Sequence, residues 1–248
     1  MDARLFTRSV LLVAEKNMRI YYFKGGVVIF GLLFPILMFL SFFIGRDLNL
    51  VLFFPAFLAM MLFFSASSTG PMITPWEKRE KTYERLLSLP VTLESIILGD
   101  ILAGAIFGFV ITTLVWVAGS FVLHLPLAHP VLIPVALLLG AVTFAALGTL
   151  LSSPATNNPS NVMMLSNLIR LPLIFVSGIF IPLSELGDWA WVLTSISPLT
   201  YLVDLFNGAV NGNAVYSPVL DIAVLIVVVV VFVFGAKRIQ QWNLAKGN

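Results

Sequence analysis

The sequence predicts an all-α membrane protein with six transmembrane helices. An amphipathic interface helix precedes the first span, a short cytoplasmic helix joins spans two and three, and short re-entrant outer helices join spans five and six. Three observations carry this expectation. Of 248 residues, 59% are hydrophobic and 10% are charged, against roughly 45–50% and about 25% in an ordinary soluble domain. The apolar residues come in long blocks rather than in alternating or amphipathic patterns, and a domain of this length still exposes much of its surface to water. The basic residues also crowd into three polar segments that fall on one side of a six-span layout. The whole chain, 1–248, therefore reads as a single transmembrane domain.

A span needs about 20 apolar residues. The stretches 25–45, 50–72, 94–123, 130–151, 162–182 and 218–235 meet that need, whereas 183–216 is broken into shorter pieces. The last span contains LIVVVVVFVF, a run that reads as strand by propensity. Its length and the following Gly235-Ala236-Lys237-Arg238 argue instead for a helix ending at the membrane surface. With the N-terminus inside, residues 1–24, the loop after the second span and the C-terminal tail share one side. They hold twelve of the fourteen Lys and Arg residues. Both termini are thus expected in the cytoplasm, since five or seven spans would break that agreement.

Within the N-terminal segment 1–24, residues 4–22 read as a helix lying in the headgroup plane. Arg4, Arg8, Glu15 and Arg19 collect on one face, with Phe6, Val10, Val13, Ile20 and Tyr21 opposite. The plainer reading is a cytoplasmic extension of the first span. No cleavable signal peptide is expected in so charged a stretch.

Residues 74–90 hold the densest charge. Thr74-Pro75-Trp76-Glu77 fits a capping box with proline at the first helical position. Glu77 and Lys81 fit an i,i+4 pair, Trp76, Tyr83 and Leu87 an apolar stripe, and Pro90 a stop. An amphipathic helix, or else a solvated connector, is expected here.

Residues 183–216 carry no Lys or Arg but are too apolar for a plain loop, with interface-type Trp189, Trp191 and Tyr201. Breaks at Pro182, Pro198 and Gly208 suggest one or two short helices dipping into the outer leaflet, or lying flat on it.

The residue inventory excludes much chemistry. There are no cysteines, no Walker A loop, no H-E-x-x-H and no G-x-S-x-G elbow. His124 and His129 are five apart, the wrong spacing for two ligands on one helical face. The acidic residues form no close pair inside a span, and the basic N-terminus is too short for a nucleic-acid site. No catalytic, cofactor or metal site is expected. Gly104-x-x-x-Gly108 is a small-residue packing motif, serving either the monomer or a dimer.

One charge lies well inside a span. Arg170 sits roughly 12 Å and Asp100 roughly 9 Å from the cytoplasmic side, and an arginine near a helix centre costs about 2.5–3.5 kcal/mol. The two are expected to face each other or to share a water-lined cavity on the cytoplasmic half, or else Arg170 snorkels to lipid phosphates while Asp100 caps a neighbouring helix.

WEKREKTYERLLSLPVTLESIILGDIL, from Trp76 to Leu102, resembles the cytoplasmic signature of type-2 ATP-binding-cassette exporter permeases. VSGIFIPLSELGDWAWVLTSISPLTYLVDLFNGAV, at 176–210, resembles that family's second signature. Lys81 stands where the family often has Gly, Asp100 where a Lys is common and Asn207 where an Arg is frequent. The resemblance implies a plasma-membrane exporter built from two permease subunits, each docked on a separate ABC ATPase subunit that holds the ATP and magnesium. It makes 4–22 the elbow helix and 74–90 the coupling helix, with Trp76, Glu77, Glu80, Thr82, Tyr83, Arg85 and Leu87 as the coupling residues. The loop 152–161 would be a second cytoplasmic contact. The expected cargo is a small amphipathic, drug-like or lipid-linked molecule. The rivals are an ATP-independent secondary transporter, whose halves would show an internal repeat, and a polytopic membrane enzyme.

Overall fold

In a computed structural model, described over residues 3–44, 49–154, 158–180 and 188–246, every regular element is helical and no strand occurs among these residues. α1 (Ala3–Asn17) runs into a widened π turn (Met18–Tyr22). α2 (Gly25–Val28), a second π turn (Ile29–Leu33) and α3 (Phe34–Phe43) follow. α4 (Leu50–Ala66) and α5 (Gly70–Arg79) are separated by a bend, and α6 (Thr82–Leu87) is a short turn before the long α7 (Leu93–Leu123). α8 (Leu132–Leu151), α9 (Pro159–Phe175), α10 (Asp188–Ile196), α11 (Pro198–Asn211) and α12 (Pro218–Ala245) complete the order.

Among the described residues, four helices are long and apolar enough to cross a membrane: Leu50–Arg79 counted through its bend, Leu93–Leu123, Leu132–Leu151 and Pro218–Ala245. The other two expected spans are shorter. The first is helical in three consecutive pieces from Gly25 to Phe43, with an apolar run over Gly31–Ser41 among the described residues. The fifth is the 17-residue α9; part of its expected end, with Pro182, lies outside the described residues.

α4 is the centre of the molecule. Leu58 through Phe63 are essentially without exposure, so this helix is apolar all round, as a helix enclosed by others must be. α7, α8 and α11 enclose it, with Phe63 edge-on to Phe144 at 4.9 Å. The Gly104–Gly108 motif is used inside the monomer. A Cβ at Gly108 would lie 2.6 Å from Ala66 Cβ, and one at Gly104 2.8 Å from the Ala66 carbonyl. The missing side chains let α7 touch α4 backbone to backbone.

α12 is helical throughout, its β-branched run notwithstanding. Val227, Val230, Val231 and Phe234 remain exposed, and a helix satisfies every backbone group internally where no water is available. It also continues past Gly235 to Ala245, longer than the expected 218–235. The extra turns bury Gln240 and Asn243, and their side chains bond the segment after α8.

The outer segment also differs from expectation. Gly208 does not break α11; the helix ends at Gly212, whose φ of +72° suits glycine. α11 is also a core element, with Leu199, Leu202, Val203, Phe206 and Val210 buried against its neighbours. Trp191 packs edge-on to Tyr216, and Tyr201 stacks on the same ring.

Candidate functional site

The segment 74–90 is not one helix. α5 begins at Gly70, four residues before the expected cap, and Pro75 is carried inside it. The capping box therefore does not form, and the Thr74 hydroxyl lies 3.4 Å from that of Ser152 instead. α5 stops at Arg79, and Lys81 takes φ +55° before α6 starts. This left-handed residue turns the chain. It separates Glu77 from Lys81, so their i,i+4 pair is absent, and it throws Trp76 and Tyr83 onto different faces, so the expected stripe is split. Thr82 secures the corner, its hydroxyl donating to the Glu77 carbonyl at 3.2 Å. That satisfies one of the carbonyls that a helix C-terminus leaves free.

Each half of the corner has its own anchor. On the α5 side, buried Glu77 pairs with Lys16 at the end of α1. Trp76 stacks on Tyr21 with ring centres 5.6 Å apart, and the Lys24 ammonium sits over both rings. On the α6 side, Tyr83 is buried and its hydroxyl donates to Gln240 at 3.4 Å. Burial pushes the Tyr83 phenol up, with the Asp100 and Glu77 carboxylates adding to the effect, so it stays a neutral donor. Gln240 reaches on to Ser153, and Asn243 donates to the Ser153 carbonyl at 2.7 Å. Lys237 meets Glu94 at 3.0 Å, joining α12 to the start of α7.

α1 lies across α7 at Gly99, where a Cβ would come within 2.6 Å of Val13. Val13 and Ala14 are thus turned toward protein, and Leu5, Leu11 and Leu12 are the apolar side chains of α1 that stay exposed. Asn17 donates to the Asp100 carboxylate at 2.6 Å. The expected Asp100–Arg170 pair does not form. Asp100 is taken by Asn17, and Arg170 is in no ion pair among the described residues. Buried Tyr22 sits within electrostatic reach of both charges.

Between α1 with its π turn and the α5–α6 corner opens a cleft of about 830 Å³. Five of the seven residues expected to couple (Trp76, Glu77, Glu80, Thr82 and Arg85) line it. Tyr83 and Leu87 do not; Tyr83 points to α12, and Leu87 is half-buried. The cleft also presents Lys16 and Lys24 of the N-terminal segment and Arg79 of the loop after the second span, which the sequence marked only as charge on one side of the membrane. Asn17, Gln240 and Asn243 escaped notice because their partners lie 83, 157 and 90 positions away in the chain. The loop after α8 contributes Ser152 and Ser153; its residues 155–157 lie outside the described residues.

Residues 7–210 match the ABC-2 type transporter family. The chain is also similar to the inner membrane transport permease YadH of Escherichia coli K12, at 26% identity over 155 residues. That is 62% of this chain and 60% of the relative. The Shigella flexneri YadH gives the same figures. The chain thus spans about 60% of the length of the curated relatives it matches.

Proposed function

The chain belongs to the ABC-2 type transporter family, and from that premise we propose that it is the permease subunit of an ATP-driven exporter. It is a multi-pass membrane protein of the transport-permease kind. In this reading α2 with its π turn and α3 form the first span and α9 the fifth, which brings the four long helices to six. Both termini are cytoplasmic, 1–24 is the interfacial segment, 74–90 the coupling element and 183–216 the outer re-entrant segment of one transmembrane domain. Two copies pair in the plasma membrane, and each docks an ABC ATPase subunit that binds ATP and magnesium. The cargo is an amphipathic, drug-like or lipid-linked molecule moved outward.

The observation that best supports this reading is the charged cleft between α1 and the α5–α6 corner. Its floor is mechanically tied to the spans through Lys16–Glu77, Asn17–Asp100 and Tyr83–Gln240. Glu80 and Arg85 are exposed at its rim, free to meet a partner. A push on α6 passes to α12 through Tyr83, and a push on α5 passes to α1 and α7. Chemistry done elsewhere can therefore reach the spans through two short routes.

The test is Glu80→Lys combined with Arg85→Glu in a reconstituted complex with the ATPase subunit. Substrate-stimulated ATP hydrolysis should fall about tenfold, the scale of a coupling free energy of 1–3 kcal/mol. The permease should still reach the membrane and purify as a dimer, because both residues are exposed. Turnover equal to the parent complex would sink the coupling role.

A further inference from the structure

Arg170 is a buried guanidinium in no ion pair among the described residues. It is 3% exposed, and its Nε and Nη2 have no hydrogen-bond partner. A guanidinium does not give up its proton in a protein, so in a membrane it requires water, a carboxylate or a phosphate. It lines a cavity of about 160 Å³ between α3, α4 and α9. Asn167 brings an amide to that cavity, Ser68 lines it with its hydroxyl already donated to the Ser65 carbonyl, and Phe34, Phe64 and Met163 make its other walls apolar. One anionic group with an apolar remainder matches such a lining better than a free, hydrated ion.

α9 provides a place for the remainder. Met163, Asn167 and Arg170 recur at helical spacing and line the cavity. The adjacent stripe is Met164, Leu168, Leu171 and Phe175, exposed at 73, 70, 39 and 65%. Leu171 belongs to both, since it also lines the cavity. The pocket therefore opens beside an apolar strip about 16 Å long, at 1.5 Å per residue.

The geometry points to a binding site for an anionic amphiphile, its phosphate or carboxylate held by Arg170 with Asn167, its apolar part laid along Met164, Leu168, Leu171 and Phe175. Arginine fits this task because its planar fork meets two oxygens at once. The site rests on the exporter reading only in making the bound molecule cargo.

The experiment is thermal stabilisation and equilibrium binding with the purified full chain in neutral detergent. The probes are dioctanoyl phosphatidate, the matching uncharged dioctanoylglycerol and inorganic phosphate. Phosphatidate should bind and stabilise, the diacylglycerol should not, and phosphate should bind far more weakly. Arg170→Gln should weaken phosphatidate about tenfold or more, while the ligand-free variant is at least as stable as the parent. Arg170→Lys should fall between them. Equal phosphatidate affinity in Arg170→Gln overturns the proposal, as does a lower ligand-free stability with unchanged affinity, which marks a structural arginine. Phosphate binding as tightly as phosphatidate overturns the amphiphile, and loss of the dimer alone in Arg170→Gln assigns the face to a second copy. No ATP is consumed, so failure here leaves the coupling result standing, and the converse also holds.

Discussion

Lys81 occupies a left-handed backbone conformation, φ +55° and ψ +22°, between two helices. A side chain there crowds the following carbonyl at a cost of about 1–2 kcal/mol, which glycine avoids. Its own side chain is exposed and in no ion pair among the described residues. Lys81→Gly should therefore leave stability unchanged or raise it by up to about 1 kcal/mol, the relief of strain being partly offset by a looser unfolded chain. Lys81→Val should lower it by more than that, since a β-branched residue tolerates this region worst. Thermal unfolding of both variants in one detergent decides the matter; equal midpoints would remove the strain argument. The lysine at a position where the family often has glycine was visible in the sequence. The corner it makes was not, because Thr74-Pro75-Trp76-Glu77 satisfies every local rule for a helix start. Local rules weigh only near neighbours, and Thr74 finds a partner in Ser152 across the bundle.

At the scale of elements, the attachment of α1 depends on one small residue. Gly99 leaves room for Val13 and for the Val10 carbonyl, and a Cβ would meet them at 2.6 and 3.0 Å. The blocking atoms are a Cβ and a backbone oxygen, neither of which can swing aside. Gly99→Ala should push α1 off α7 and cost about 1–3 kcal/mol, as overpacking does. It should also loosen Lys16–Glu77 and Asn17–Asp100, both carried by the same end of α1. Limited trypsin digestion reads this directly, because cleavage after Lys16 needs a free segment. Parent and variant cut at the same rate would mean that α1 is held elsewhere. Amphipathicity identified this helix from the sequence but not the neighbour of its apolar side. A hydrophobic face is the same signal whether lipid or protein covers it.

For the whole molecule, the proposed six-span orientation yields a labelling pattern that the cysteine-free parent makes easy to read. Single cysteines at exposed Arg4 and Lys246 should react only from the cytoplasmic face, and those at exposed His129 and Asn213 only from the outer face. Labelling of residues 4 and 246 from opposite sides would refute an even number of spans. Composition and block length were enough to establish a helical membrane protein, because burying unpaired backbone in lipid is prohibitive and helices remove that cost locally. The two quoted signatures were enough to indicate the family, which the match over 7–210 then bears out. Local pattern did not reveal the burial of α11, the corner at Lys81, the grip of Asn17 on Asp100 or the isolation of Arg170. Span assignment depends on a sum over some twenty neighbouring residues, and such sums survive local errors. Pairing of buried polar groups depends on single distances between residues far apart in sequence, and those exist only once the helices have packed.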